Sequence, residues 1–232
     1  MSISKLEEQL KAYYEQHRNQ QLTSKLNETV KTMGETLLLG SKYQELPNQR
    51  KDKQEKFTPH DETKQKLQQL MEAWKNNQFT EVEKHLPELT EALDREEQQV
   101  RSNIQGVKHE LKSHLLGLRS LNQRTNRVQS NRIQVIKKEL ENLDKVNYDP
   151  NQDFLEQEQL TRQHVRENLV TELEKIETDL MKPFQGTGAE KYVQSLINGE
   201  SVQLSSLSDN EIAELQASLG DHLSLKLQDI KY

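Results

Sequence analysis

Residues 101 to 138, RSNIQGVKHELKSHLLGLRSLNQRTNRVQSNRIQVIKK, carry nine Lys or Arg and a single Glu. Cations at that density can bind the phosphates of a nucleic acid, or flank an apolar helix seam and pair with acids on another helix. At 100° per residue, Arg101, Lys108, Lys112, Arg119 and Lys137 fall within about 20° of one line. That line lies roughly 100° from the centre of the Ile104–Val107–Leu111–Leu118 stripe, which is a seam-flanking position. Acidic blocks lie on both sides: seven acids and two bases in 81–97, seven acids and one base in 139–158. No aromatic residue interleaves the cations, as a stacking platform for single strands would need.

Other chemistry-bearing residues form no recognisable set. His109 and His114 are five apart and do not share a helical face, and no H-E-x-x-H occurs. The stretch GTGAEK (186 to 191) has two glycines near a lysine, but lacks the G-x-x-x-x-G-K-[ST] spacing of a phosphate loop and the strand that should precede it. It reads as a flexible break. Cysteine is absent, which removes thiolate ligands, thiol nucleophiles and disulfides. No Ser-His-Asp arrangement is legible among the many carboxylates. A non-enzyme without metal or cofactor is the expectation. Trp74, with Met71 and Phe79 nearby, reads as a packing anchor between helices, with protein docking as the alternative.

The elements that would position these residues are helical. Of the 232 residues only 31% are hydrophobic, while 30% are charged. A narrow apolar stripe along elongated helices accommodates that composition, whereas a rounded core does not. Ser4 with Glu7 makes a capping box for a first helix ending near Gly40, weakened or interrupted over EQHRNQQ (15 to 21). Residues 41–58 read as a flexible linker. Thr58-Pro59 opens a second helix, closed by KNNQ after Trp74. Thr80 and Glu83 form another capping box, with Pro87 the preferred start of the helix that follows. From Pro87 to about Val146 no proline interrupts an a/d-like pattern whose polar members are Glu96, His114, Thr125 and Arg132.

NYDPNQD then turns the chain, with Asp149 as N-cap and Pro150 in the first helical position. The next stripe is Leu155, Val165, Leu169, Leu173, Ile176 and Leu180, ending at Pro183. The expected fold is therefore all-α: an elongated helical bundle with a long antiparallel coiled-coil hairpin within 59–182, and a small C-terminal helical module over 183–232. With the turn centred on residues 148 and 149, Arg119, Arg124 and Arg127 would stand among Glu172, Glu174 and Glu177 and pair with them. Ser208 with Glu211 caps the last helix.

Arg101, Lys108 and Lys112, with Trp74, remain as the candidate interaction surface. The expected function is a structural or scaffolding coiled-coil protein that mediates protein–protein assembly within a larger complex. Its partners would be helical proteins, a second copy included. The alternative is an accessory nucleic-acid-associated protein that contacts phosphates through Arg101, Lys108, Lys112, Arg124, Arg127 and Arg132. No apolar run reaches the roughly 18–20 residues that span a bilayer, and MSISKLEEQL lacks a secretory pattern. No membrane contact and an intracellular, cytoplasmic location are therefore expected.

Overall fold

The computed structural model describes residues 3–47, 59–125, 130–198 and 202–219. Among them the regular structure is helical, with no strand: α1 (Ile3–Gln44), α2 (Asp61–Lys75), α3 (Phe79–Thr125), α4 (Ser130–Glu141), α5 (Phe154–Val165), a π-helical turn (Arg166–Val170), α6 (Thr171–Met181), α7 (Glu190–Ile197) and α8 (Asp209–Leu219). The fold is all-α. Two units are distinguishable. One holds α1, α2, α3 up to Ile104, and residues 144–162; the other holds residues 105–143 and the chain from Gln163 onward.

In the first unit, Leu22, Leu70, Ala73, Val82, Leu86, Leu89 and Leu93 close into one buried cluster. Polar ties set the directions. Arg18 pairs with Glu83, and the Thr29 and Thr90 hydroxyls meet at 3.2 Å, so α1 runs parallel to α3. Glu62 with Arg95 (2.9 Å) and Lys66 with Glu88 (3.5 Å) make α2 antiparallel to α3. Helix α2 ends as KNNQ suggests: Asn77 takes φ 57°, Gln78 N–H bonds Ala73 O and Asn77 N–H bonds Trp74 O, a Schellman closure with Asn in the left-handed position.

Several boundaries differ from those expected. Helix α1 is continuous through residues 15–21, whose Glu, Gln and Arg are good helix formers, and through Gly40 to Gln44. Burial of Leu38, Leu39, Ser41, Glu45 and Leu46 around Gly40 outweighs the roughly 1 kcal/mol propensity cost of glycine. The first residues of the expected linker are thus α1's last turn, and residues 48–58 lie outside the described residues. So do Thr58 and the side chains of Ser4 and Glu7. Helix α3 begins at Phe79 rather than Pro87. Val82 and Leu86 before the proline and Leu89 after it all enter the same cluster, so burial carries the helix across the missing hydrogen bond.

The single helix expected from Pro87 to Val146 is not formed. Lys108 Nζ lies 3.5 Å from Glu141 O, whereas 33 residues of straight helix would separate them by about 50 Å. Helix α4 instead turns its stripe of Ile133, Ile136 and Leu140 inward, followed by Leu143 just beyond its end, leaving Val135 43% exposed. In the second unit α4 lies antiparallel to the α5–α6 segment: Glu139 meets His164 at 2.8 Å and Arg132 meets Glu172 at 3.7 Å. The expected register would have placed Arg132 against Val165. Residues 142–153 form a broader turn than the tight one assumed. Asp153 caps α5 by accepting the Glu156 N–H, while Asp149 accepts the Asn151 N–H, which holds its carboxyl below the usual range. Gln157 pins the same turn, bonding both the N–H and the C=O of Asp149.

Within α5–α6 the π turn lets adjacent Leu169 and Val170 both face inward, each 1% exposed. From Pro183 on, Phe184, Ala189, Val193 and Ile197 are buried in the second unit. The 186–191 stretch is an ordered turn: Gly186 takes φ +75° and its N–H bonds the Glu190 carboxylate. The Ser208–Glu211 capping box forms in both directions, Ser208 N–H to Glu211 at 2.7 Å and Glu211 N–H to Ser208 Oγ at 3.4 Å.

Two outcomes follow from this packing. A Cβ on Gly117 would lie 2.6 Å from Ile197 O, while one on Gly106 meets nothing within 4 Å. Gly117→Ala should cost about 1–3 kcal/mol in urea unfolding because backbone must shift; Gly106→Ala should add about 0.5–1 kcal/mol through helix propensity. The hydrogen bonds from Ser208 depress the Glu211 carboxyl below its ordinary value of 4.5. A depressed folded-state value stabilises above the unfolded value and is lost as pH falls through the folded one. The melting difference between the native chain and Glu211→Ala should therefore be largest near neutral pH and shrink as pH falls below the ordinary carboxylate range.

Candidate functional site

The basic island does not present one outward face. Arg101 donates to the Glu97 carboxylate and to Asp144 O, each at 2.7 Å. Lys108 is only 8% exposed and its ammonium reaches Glu141 O, the last carbonyl of α4. A helix C-terminus leaves its final carbonyls without intrahelical donors and carries partial negative charge, so a cation there is satisfied twice. This is a correction to the proposed contact surface: Arg101 and Lys108 serve the fold. Lys112 alone of that trio is exposed without an ion pair among the described residues.

The acidic partners are also occupied differently. Glu177 takes the Nε2–H of His114, and Glu172 takes Lys175 at 2.7 Å as well as Arg132. Asp179 accepts from Arg132 at 3.4 Å. Arg119 is exposed and makes none of these contacts. Glu174 shares a shallow pocket with Arg132 and Lys175. The side chain of Arg124, and the whole of Arg127, lie outside the described residues. The seam histidine thus supplies the contact to Glu177 that an arginine was expected to make. Sequence spacing missed this because α4 folds back against α3, as the Lys108–Glu141 O contact shows, so α3 is not the straight antiparallel arm from which the register was counted.

Trp74 lies at the α2–α3 corner but is not the buried anchor expected. It is 45% exposed, beside Met71 at 62% and Phe79 at 36%. Trp74 and Phe79 meet edge to face, with ring centroids 6.0 Å apart. The pair is stabilised and held in one orientation without being covered. Two aromatics and a methionine at one corner give a rigid apolar contact of the kind that dominates binding energy at protein interfaces. Spacing alone does not signal this: at 100° per residue Met71 falls outside the arc of Leu67, Leu70 and Ala73, but Trp74 falls inside it, between Leu67 and Leu70, and is exposed because it stands at the helix end.

The glycine-containing turn is not open to phosphate. Its Gly186 and Ala189 N–H groups already bond the carboxylates of Glu190 and Glu214, at 2.9 and 3.1 Å. His109 is exposed. Among the described residues no group of three or more His, Asp or Glu is placed to hold a metal ion, and no helix is long and apolar enough to cross a membrane. Three buried carboxylates are structural, of which the sequence placed only Glu96 on a seam. Glu96, 3% exposed, accepts His60 N–H at 3.0 Å and Thr63 Oγ1 at 2.7 Å, capping α2. Glu45 accepts Arg162 at 2.7 Å, beside Glu158, which takes Ser41 Oγ at 3.1 Å.

An open cleft of about 670 Å³ runs between α1 and α3 in the first unit, with Leu22, Leu86 and Pro87 in its lining. Comparison of the chain with protein-family models, with curated proteins and with solved structures returned no match.

The two lysines should separate in mutagenesis. Lys108→Ala removes a buried stem and leaves the α4 carbonyls short of a donor, and should cost about 1–3 kcal/mol in urea unfolding. Lys112→Ala should leave the unfolding midpoint unchanged.

Proposed function

We propose that this protein is a non-enzymatic helical scaffold that joins protein partners within a larger assembly, docking a partner through the Met71–Trp74–Phe79 corner. The observation that carries this reading is the exposure of an edge-to-face Trp–Phe pair beside a methionine in a chain with few apolar residues. A large aromatic left at the surface gains its burial energy on association, and Trp is the residue type most enriched among interface hot spots. A helical partner suits the site, because an amphipathic helix presents apolar side chains at spacings that match a short cluster of this kind.

The nucleic-acid alternative has less to draw on. Of its proposed phosphate contacts, Lys108 is buried and Arg101 and Arg132 are engaged with Glu97, Asp144, Glu172 and Asp179. The experiment is affinity capture of the full chain from its native cells, with and without nuclease, beside the Met71→Ser, Trp74→Ala double variant. The expected result is a set of protein partners that survives nuclease and is lost from the variant. Partners released by nuclease, or retained in full by the variant, would count against this assignment.

A further inference from the structure

Two surfaces that play no part in the Trp74 corner are complementary to each other. The first is a face of α3 in the second unit. Lys112, Leu116 and Arg119 lie within about 60° of one another at 100° per residue, and all three are exposed, Leu116 at 65%. Neither cation has an ion pair among the described residues. A leucine held in water between two unpaired cations, about 10 Å from end to end, is a short basic ridge with an apolar crest.

The second surface is the α1–α3 cleft of the first unit. Its lining is apolar at Leu22, Leu86 and Pro87, with Thr29, Thr32 and Thr90 beside them. Its rim is acidic. Arg18 and Glu83 neutralise each other, which leaves Lys25 against Glu28, Glu91 and Asp94. Those three carboxylates are exposed and have no ion pair among the described residues. The lining runs from residue 18 to 32 on α1 and from 83 to 94 on α3, roughly 16–21 Å of helix, so a 10 Å ridge fits within it.

We propose that a second copy of this chain seats its Lys112–Leu116–Arg119 ridge in this cleft, with Leu116 over Leu22 and Pro87 and the two cations against Glu91, Asp94 and Glu28. The charges choose the occupant: the net negative rim favours a basic ridge over an acidic one, and desolvating Leu116 supplies the apolar part. The contact is heterologous, since ridge and cleft are different surfaces. Each copy can therefore offer one of each, and association extends to a closed ring or a chain of copies. Because both charge sets are exposed, it weakens as salt rises.

Sedimentation velocity of the full chain over about 1–200 µM at low salt tests this, with circular dichroism confirming that each variant keeps its helix content. The native chain should show concentration-dependent association that falls at least about ten-fold in affinity near 0.5 M salt. Lys112→Glu with Arg119→Glu should be monomeric, as should Glu91→Lys with Asp94→Lys, and Leu116→Ser should associate at least ten-fold more weakly. Mixing the two charge-reversed variants should restore association, since each reversed ridge then meets a reversed cleft. The Met71→Ser, Trp74→Ala variant should associate like the native chain, which separates this proposal from the partner-docking one. A native chain that stays monomeric throughout, charge variants that associate unchanged, or a mixture that fails to recover would each overturn it.

Discussion

Every helix leaves donors bare at its start and acceptors bare at its end, and in this chain charged side chains from other segments meet that demand. Glu96 of α3 accepts from the start of α2. Lys108 donates to the last carbonyl of α4, and Arg101 to Asp144 O just beyond it. Glu214 accepts from Ala189 N–H at the entry to α7. Each bond joins a partial charge at a helix end to a full charge of opposite sign, which is stronger than a neutral pair. Several helix ends therefore depend on which distant charge can reach them, while the end of α2 and the starts of α5 and α8 are closed by their own neighbours.

This arrangement suits a chain so short of apolar residues. Its buried clusters are narrow, one face of each helix, so packing alone leaves the helices' relative register loosely defined. Directional contacts supply what area does not. They also explain why charges are not freely interchangeable: Lys108 and Lys112 lie four residues apart on α3, yet one is part of the interior and the other faces water. Close approach adds a second kind of specification. Gly117 admits the Ile197 carbonyl, and Gly34 admits the Tyr148 ring, in places where any Cβ would collide.

Much of the local structure was legible. The stripe Val100, Ile104, Val107, Leu111 and Leu118 is buried as its spacing implies, and so are Leu169, Leu173, Ile176 and Leu180. The KNNQ stop and the Ser208–Glu211 cap occur where their residues stand. Less legible were features that depend on competition between local preference and distant burial. Gly40 and Pro87 are helix breakers by propensity, yet both lie inside helices because apolar neighbours on either side are buried. The corner at Trp74 was seen as a group but left between packing anchor and contact surface, since composition alone does not say whether an aromatic finds a neighbouring surface.

By itself the sequence determined the all-α class: periodic stripes that form helices, and a charge pattern in alternating blocks. Those properties depend on residue type and short-range spacing, which the tertiary fold leaves intact. What only the tertiary structure decided was partnership. It set Lys108 on Glu141 O rather than on an outside anion, His114 rather than an arginine on Glu177, and Lys112 and Leu116 in water. The reason is geometric. A helix repeats its face every few residues, so the same stripes can be buried by several paths of the chain, and only the three-dimensional path, here the return of α4 along α3, selects which charges meet.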